Sequence, residues 1–376
     1  TWLVEEAAAS LVIGHPAVNR VLVGRRKAWL DDLRRGRMVR ALSGAAHFVR
    51  ELRDTRYDLV IDFQGLLKSA LWVFLARGDR KAGFGRGMEH AEYSYLALNE
   101  RVPAVDMNQH AIDRSLLLLK GLGVPASGLR YTLPVSAQHE VEATALLHAC
   151  GVREKDRLVA VNPMARWPTK LWEPRAFAQL AGRLEPEDIR VVFTGGPPDR
   201  PALDEISRLM TRPLRRLDGK TSLNQLAAVY HRAQVVVTTD SGPMHLAAAV
   251  GTPVVALFGP TAPWRTGPYG PNHVVIRADL SCSPCFKKQC LTTLYEEQAC
   301  MKRLTVDQVV QAVLEKIGAA PLAASTWQGA SCRVAGISGW CSSSIVQHSR
   351  LPWSCSSSSF RFGCSVQNGA PPYFRD

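Results

Sequence analysis

Asp240, Ser241, Gly242 and His245 are polar or small residues set in an otherwise apolar run between Gln234 and Thr261. On one side lies Val235-Val236-Val237, on the other Val254-Val255-Ala256-Leu257-Phe258. Neither run alternates, which suits strands buried on both faces of a parallel sheet. Asp and Ser favour helix starts, and Pro243 is tolerated in a first turn because its missing N–H has no partner there anyway. Gly251 can close the helix in the left-handed conformation. The reading is therefore strand, helix, strand, with Thr239 and the polar set gathered at the helix start. Free amides and the positive end of the helix dipole favour a phosphate there. Ligands of open parallel sheets bind beyond the carboxyl ends of the strands. The segment predicts a site for a phosphorylated ligand; the same residues also read as a capped, buried helix with His245 as a satisfied polar side chain.

The hexapeptide 240–245, Asp-Ser-Gly-Pro-Met-His, followed by Gly-Thr-Pro-Val-Val-Ala-Leu-Phe-Gly-Pro-Thr at 251–261, closely resembles the donor-site motif of the lipopolysaccharide heptosyltransferases, Asp-(Thr/Ser)-Gly-x-x-His. The resemblance reaches the loop after the strand at Leu158–Val161, which runs from Asn162 through Met164 to Trp172. There a Lys two positions before a Trp matches the family's donor loop, and the resemblance implies donor-binding roles for Lys170 and Met164. An ammonium at Lys170 can offset charge on a departing diphosphate; without the match it reads as an exposed lysine. Arg190 to Gly196 is a predicted strand ending in Thr-Gly-Gly, and Asp199 just beyond it is the candidate for the acidic residue that holds ribose hydroxyls in the family. Gly219 to Leu223 opens a further helix and is not a Walker loop, because the upstream glycine spacing is missing.

The first half carries acceptor candidates. Strands are predicted at Trp2–Val4, Val18–Val23 and Tyr57–Phe63, with helices at 5–14, 39–54 and from Leu66. The segments 2–6, 25–29, 58–70 and 110–114 resemble the first-step heptosyltransferases, in which cationic side chains face the acidic sugar of the acceptor. Arg26 and Lys27 match such positions; Lys68 falls in a matched segment, and Arg86 and His90 fall in the loop that supplies another Arg. Guanidinium suits a carboxylate because it binds bidentately and stays charged. On their own Arg26 and Lys27 also read as a solvated charge patch. The family begins with a strand and a Gly-Asp loop whose Asp is the expected catalytic base. The expectation is that this Asp lies upstream of Thr1, with roughly 30 residues of strand, loop and helix absent, and that the chain as it stands is catalytically crippled.

Alternating strands and helices predict an α/β protein with parallel sheets. The resemblance implies two Rossmann-like domains facing a cleft, the GT-B arrangement, with the first strand of the N-terminal domain missing. The expected divisions are 1–135 for the acceptor half, 136–318 for the donor half and 319–376 as a non-globular tail. That tail carries Cys332, Cys341, Cys355 and Cys364, four consecutive Ser at 356–359 and no period. The 376 residues carry 46 Lys and Arg against 33 Asp and Glu, a net +13. Such a balance favours an anionic partner. Basic residues do not interleave with aromatics, so nucleic acid is not the expected one.

Cys282-x2-Cys285-x4-Cys290-x9-Cys300 raises a zinc or iron–sulfur site when taken alone. The family's chemistry needs no metal or cofactor, so the expectation is reduced structural thiols or a disulfide. What the resemblance implies is an inverting transfer of heptose from ADP-heptose to the 3-deoxy-octulosonate (Kdo) of Kdo-lipid A. It would take place in the cytoplasm, at the anionic inner leaflet of the inner membrane. The second heptose transfer, a transferase for another nucleotide sugar and a non-catalytic nucleotide-sugar binder remain open.

Overall fold

The computed structural model describes residues 1–88, 93–125 and 129–319. His90, part of the expected linker and the expected tail beyond Ala319 lie outside these residues. The described chain falls within one compact unit, Thr1–Ala323, and every strand pairing in it is parallel.

In chain order the first half holds β1 (Trp2–Glu5), β2 (Val21–Gly24), α1 (Arg26–Arg34), α2 (Met38–Arg53), β3 (Arg56–Asp62), α3 (Leu67–Leu75), β4 (Arg77–Phe84), β5 (Glu100–Val102) and α4 (Ala111–Gly121). β1 pairs with β2, and β3, β4 and β5 form a second sheet in that order. Both sheets share one apolar cluster in which Leu3, Leu22 and Val60 meet Phe48, Leu52 and Trp72. Trp29, Phe48 and Trp72 meet there with ring centroids 5.0–6.3 Å apart, tilted or edge-on, the arrangement ring quadrupoles prefer. Gly44 is required at this point, because a Cβ there would lie 2.8 Å from the Trp29 indole nitrogen.

The second half holds α5 (Ala137–Ala149), β6 (Arg157–Asn162), α6 (Pro174–Leu184), β7 (Ile189–Phe193), α7 (Arg200–Arg208), α8 (Leu223–Arg232), β8 (Val235–Thr239), α9 (Gly242–Ala249), β9 (Val254–Phe258), α10 (Pro263–Thr266), β10 (Val274–Arg277), α11 (Ala299–Lys302) and α12 (Val306–Ala319). Its five strands lie in the order β10-β9-β8-β6-β7. The lack of alternation in β8 and β9 has a direct cause: both faces are covered. Val235, Val237, Val255 and Leu257 point into one cluster with α6 and α12. Val236, Val254, Ala256 and Phe258 point into another with α5, α8 and α9. Ser222 and Gln225 form a reciprocal capping box at the start of α8, Gln225 N–H donating to Ser222 Oγ at 3.2 Å and Ser222 N–H to Gln225 Oε1 at 2.7 Å.

The predicted α/β class with parallel sheets is borne out, and β9 and α2 fall close to the expected bounds. Several local expectations need correction. The helix expected at 5–14 is a short 3-10 turn, Glu6–Leu11, and the strand expected from Val18 begins at Val21. Arg25 to Trp29, read only as a basic cluster, opens α1. β4 escaped notice because Arg-Gly-Asp-Arg-Lys-Ala-Gly-Phe has no strand pattern. Pairing makes it a strand, aided by exposed ion pairs Arg56–Asp79 and Arg80–Glu100 at 2.6 and 2.8 Å. No described helix is long and apolar enough to cross a membrane.

One core contact ties the five-stranded sheet to its outer helices. Phe177 of α6 meets Trp172 edge-on at 5.0 Å, and Trp172 Nε1–H donates to the Leu304 carbonyl at 3.0 Å. Phe177→Ala is expected to lower the unfolding free energy by about 3–5 kcal/mol, measured by denaturant titration; a loss below about 1 kcal/mol would show that the cluster collapses around the cavity.

Candidate nucleotide-sugar site

β6 is the first strand of the five-stranded sheet, and the chain leaves it for β7 on one side before returning to β8 on the other. A crevice opens at such a switch point, beyond the carboxyl ends of the two central strands. Here the loop after β6 folds against the end of β8: Thr239 Oγ1–H donates to the Met164 carbonyl at 3.0 Å. The 3-10 turn Pro168–Lys170 then returns Lys170 to the start of α9. Lys170 Nζ lies 2.6 Å from Asp240 Oδ2, with the two side chains only 15% and 8% exposed. Thr261 Oγ1–H, from the loop after β9, donates to the same carboxylate oxygen at 2.7 Å. Three loops of the sheet's carboxyl edge thus meet on one carboxylate, and the Trp167 ring lies 4.6 Å beneath the ammonium.

Ser241 occupies the N-cap of α9, yet its side chain makes no capping hydrogen bond. Asp240, also read as a potential cap, is committed to Lys170 and Thr261 instead. No capping oxygen therefore competes for the first amides of α9, which can meet an anion. Gly242 is exposed. His245, one turn in, keeps an exposed surface, but the packing around its imidazole withholds enough water to push it below its ordinary value. Asp240 opposes this shift, and His110 and Lys170 reinforce it. Gly251 closes the helix with φ +82°.

Asp199 sits beyond β7 and accepts from the Gly196 amide at 2.7 Å through Oδ2, so one oxygen organises the turn. Among the residues expected to face an acceptor, Arg26 opens α1 and pairs with Glu5 at 3.3 Å, both partners well exposed. Lys27 is exposed beside it, Lys68 is half-buried at the start of α3, and Arg86 is exposed after β4. Sequence reasoning missed Asp62, a buried carboxylate at the end of β3. It accepts from the amides of Gln64 and Gly65, each at 3.0 Å, and from Ser69 Oγ–H at 2.9 Å, and so shapes the loop presenting Lys68. It also missed Thr261 and His110. The imidazole of His110 lies 3.0 Å from the Gly267 carbonyl, and Tyr269 O–H donates to Asp113 at 2.5 Å. These contacts fasten the start of α4 to the loop after α10. The signals were there: Thr261 stands at a strand's carboxyl end and closes the resembling stretch 251–261, and His110 opens the resembling segment 110–114.

An ion pair, a hydroxyl and a helix start without a side-chain cap meet at the parallel sheet's switch point, an arrangement that can accommodate an anionic ligand. Residues 45–296 match glycosyltransferase family 9 (heptosyltransferase). Lipopolysaccharide heptosyltransferase 1 of Pseudomonas aeruginosa is 31% identical over 313 residues, 79% of this chain and 80% of that protein. The Escherichia coli K12 enzyme of the same name is 31% identical over 294 residues, 74% of this chain and 83% of that one. Among solved structures, E. coli heptosyltransferase WaaC with ADP superposes with a TM-score of 0.64 at 26% identity, covering 84% of this chain and 89% of that one. The chain belongs to glycosyltransferase family 9, the heptosyltransferases, and its fold is the GT-B fold of two Rossmann-like halves.

Two outcomes follow for this edge. Lys170→Met leaves the Asp240 carboxylate buried with one hydroxyl partner, and is expected to cost about 3–5 kcal/mol of stability; Lys170→Met with Asp240→Asn together should cost clearly less than the sum of the two, measured as a double-mutant cycle on denaturation midpoints. The lowered His245 value carries a sign. The unfolded chain takes up a proton near its ordinary value of about 6.5 before the folded chain does. Stability from the neutral imidazole is thus full above that pH and is lost as pH falls through the lower folded value. His245→Gln should flatten this acid limb in pH-dependent melting; an unchanged limb would remove His245 as its source.

Proposed function

We propose that this chain transfers heptose from ADP-heptose to the Kdo residue of Kdo-lipid A during assembly of the lipopolysaccharide core. The observation that carries the reading is the Lys170–Asp240–Thr261 cluster beside the uncapped start of α9, in a chain of this family whose solved relative was crystallised with ADP. In this reading residues 136–318 bind the donor and residues 1–135 the acceptor. The diphosphate lies on the amides of Ser241 and Gly242 near His245, with Lys170 offsetting charge as ADP departs. Met164 borders the nucleotide through its backbone, and Asp199 takes ribose hydroxyls with its second carboxylate oxygen. Arg26, Lys27, Lys68 and Arg86 supply cationic contacts for the Kdo carboxylate.

An acceptor hydroxyl also needs a base. We assign none among the described residues: Asp62, buried at a strand's carboxyl end, already accepts three hydrogen bonds. Both β1 and β3 have an open edge among the described strands. They flank one shared cluster, within which the buried Tyr57 hydroxyl has no partner. These features support a further parallel strand between β1 and β3 as the carrier of the base.

Membrane proximity fits the surface of α1 and α2. Met38, Val39 and Leu42 are 60%, 84% and 60% exposed, and Lys27, Arg34, Arg35, Arg37 and Arg40 lie close to them in sequence. Arg35, Arg37 and Arg40 also pair with Asp31 or Asp32 at 3.0, 2.8 and 3.6 Å, so part of this charge is already offset. Apolar side chains amid the remaining cations suit an anionic leaflet, to which each unpaired cation near the surface adds about 1 kcal/mol.

The direct test is transfer from ADP-heptose to Kdo-lipid A, measured on the chain as given and on one extended upstream by its own gene sequence. Product from the extended chain with the Kdo acceptor is expected, with turnover higher by orders of magnitude than that of the shorter chain. Transfer only to an acceptor already bearing heptose would move the assignment to the second step, and tight ADP-heptose binding without transfer to either would make it a binder. Lys170→Met is expected to weaken ADP binding by about 10–100-fold, the worth of a charge-assisted hydrogen bond, read by calorimetry.

A further inference from the structure

The loop between β10 and α11 is not used by the transfer chemistry, yet it is closely organised. Cys282, Cys285, Cys290 and Cys300 all line one cavity of about 260 Å³, together with Ser283, Lys287 and neighbouring backbone. All four are free thiols; Cys285 is exposed and the other three are half-buried. They come from two stretches, the loop itself and the short helix α11, so their meeting is tertiary and not merely a consequence of spacing. Residues 281–298 contain no helix or strand, and their large apolar side chains Phe286, Leu291 and Leu294 are 44%, 73% and 69% exposed, so the loop is held by polar contacts more than by apolar burial. A segment with so little apolar burial needs another source of order.

We propose that Cys282, Cys285, Cys290 and Cys300 are the ligands of a thiolate-bound metal centre, zinc or an iron–sulfur cluster, that holds this loop against the carboxyl edge of the five-stranded sheet. Four sulfurs are the full donor set of a structural zinc site or of a cubane cluster, and C-x2-C is the usual first pair of either. Among the described residues no three His, Cys, Asp or Glu side chains are placed to hold a metal ion as they stand. The four cysteines line one cavity instead, and binding would require them to draw together around the metal. The centre would brace the neighbouring site. Thr169 Oγ1–H, one residue before Lys170, donates to the Lys287 carbonyl at 2.8 Å. Ser283 Oγ–H donates to the Gly259 carbonyl at 2.6 Å, and Phe286 N–H to the Pro260 carbonyl at 2.8 Å, next to the Thr261 that holds Asp240. The metal proposal itself rests on the thiols and stands whether or not the transferase step is assigned correctly.

The test is metal and acid-labile sulfide analysis of the full chain, purified without oxygen under reducing conditions from zinc- and iron-supplemented cells. Expected is about one zinc per chain, or about four irons with matching sulfide, and metal–sulfur scattering in X-ray absorption. Cys285→Ser with Cys290→Ser should lose that metal, whereas Cys150→Ser, a thiol of the other face that approaches the Arg216 carbonyl at 3.5 Å, should keep it. Because the double variant can fail to fold, the wild-type measurement decides. Absence of metal as purified, together with no uptake on anaerobic reconstitution with zinc alone or with iron and sulfide, would overturn the proposal. So would a Cys–Cys disulfide found by mass mapping of the unreduced protein.

Discussion

The interaction on which the site depends is the contact of Lys170 with Asp240. A buried carboxylate is costly unless it is paired and its remaining lone pairs are used. Asp240 meets that condition only because three separate loops converge on it: its own, after β8; the loop after β6, which delivers Lys170; and the loop after β9, which delivers Thr261. Each loop leaves the carboxyl end of a neighbouring parallel strand. Removing the register between β6 and β8, where Val161 lies opposite Val237 and Asn162 opposite Thr238, would separate the charges. Sheet register and site electrostatics are here the same constraint.

That commitment has a consequence for the helix start. With Asp240 turned towards the lysine and Ser241 making no capping bond, the first turn of α9 keeps its amides for a ligand. A stronger cap would stabilise the helix locally but would occupy the amides at its start. The neighbouring elements absorb the difference. α9 packs Met244, Leu246, Ala247 and Ala248 into the sheet, and the strands on either side are buried throughout. The helix is held by tertiary packing and does not need its cap.

The two halves are stabilised differently. The five-stranded sheet of the second half is covered on both faces by helices, and its strands show it. The first half has two small sheets around an aromatic cluster, strands that are largely half-buried, and ion pairs on its surface. Exposed pairs of that kind contribute little individually, so cohesion there rests on Trp29, Phe48 and Trp72. The same half carries the exposed apolar and basic residues of α1 and α2. An unsaturated, charged surface and a thin core are found together in the half that would meet a lipid-linked acceptor.

From the sequence alone one could determine the local units whose pattern is self-sufficient. The unalternating runs 235–237 and 254–258 had to be buried on both faces, Gly251 had to end a helix, and Asp240 to His245 had to sit at a strand's carboxyl end, because burial, glycine conformation and chain polarity act within a few residues. The resemblance of those residues to the heptosyltransferases rested on the same short stretch. Only the tertiary structure decided what each polar residue does. Asp240 could be a cap or an ion-pair partner, and the choice fell to Lys170, 70 residues away. Asp62 and Thr261 became site-building residues, β4 became a strand despite its polar sequence, and four spaced cysteines became the lining of one cavity. Long-range pairing and desolvation depend on which segments fold against one another, and a local pattern does not carry that information.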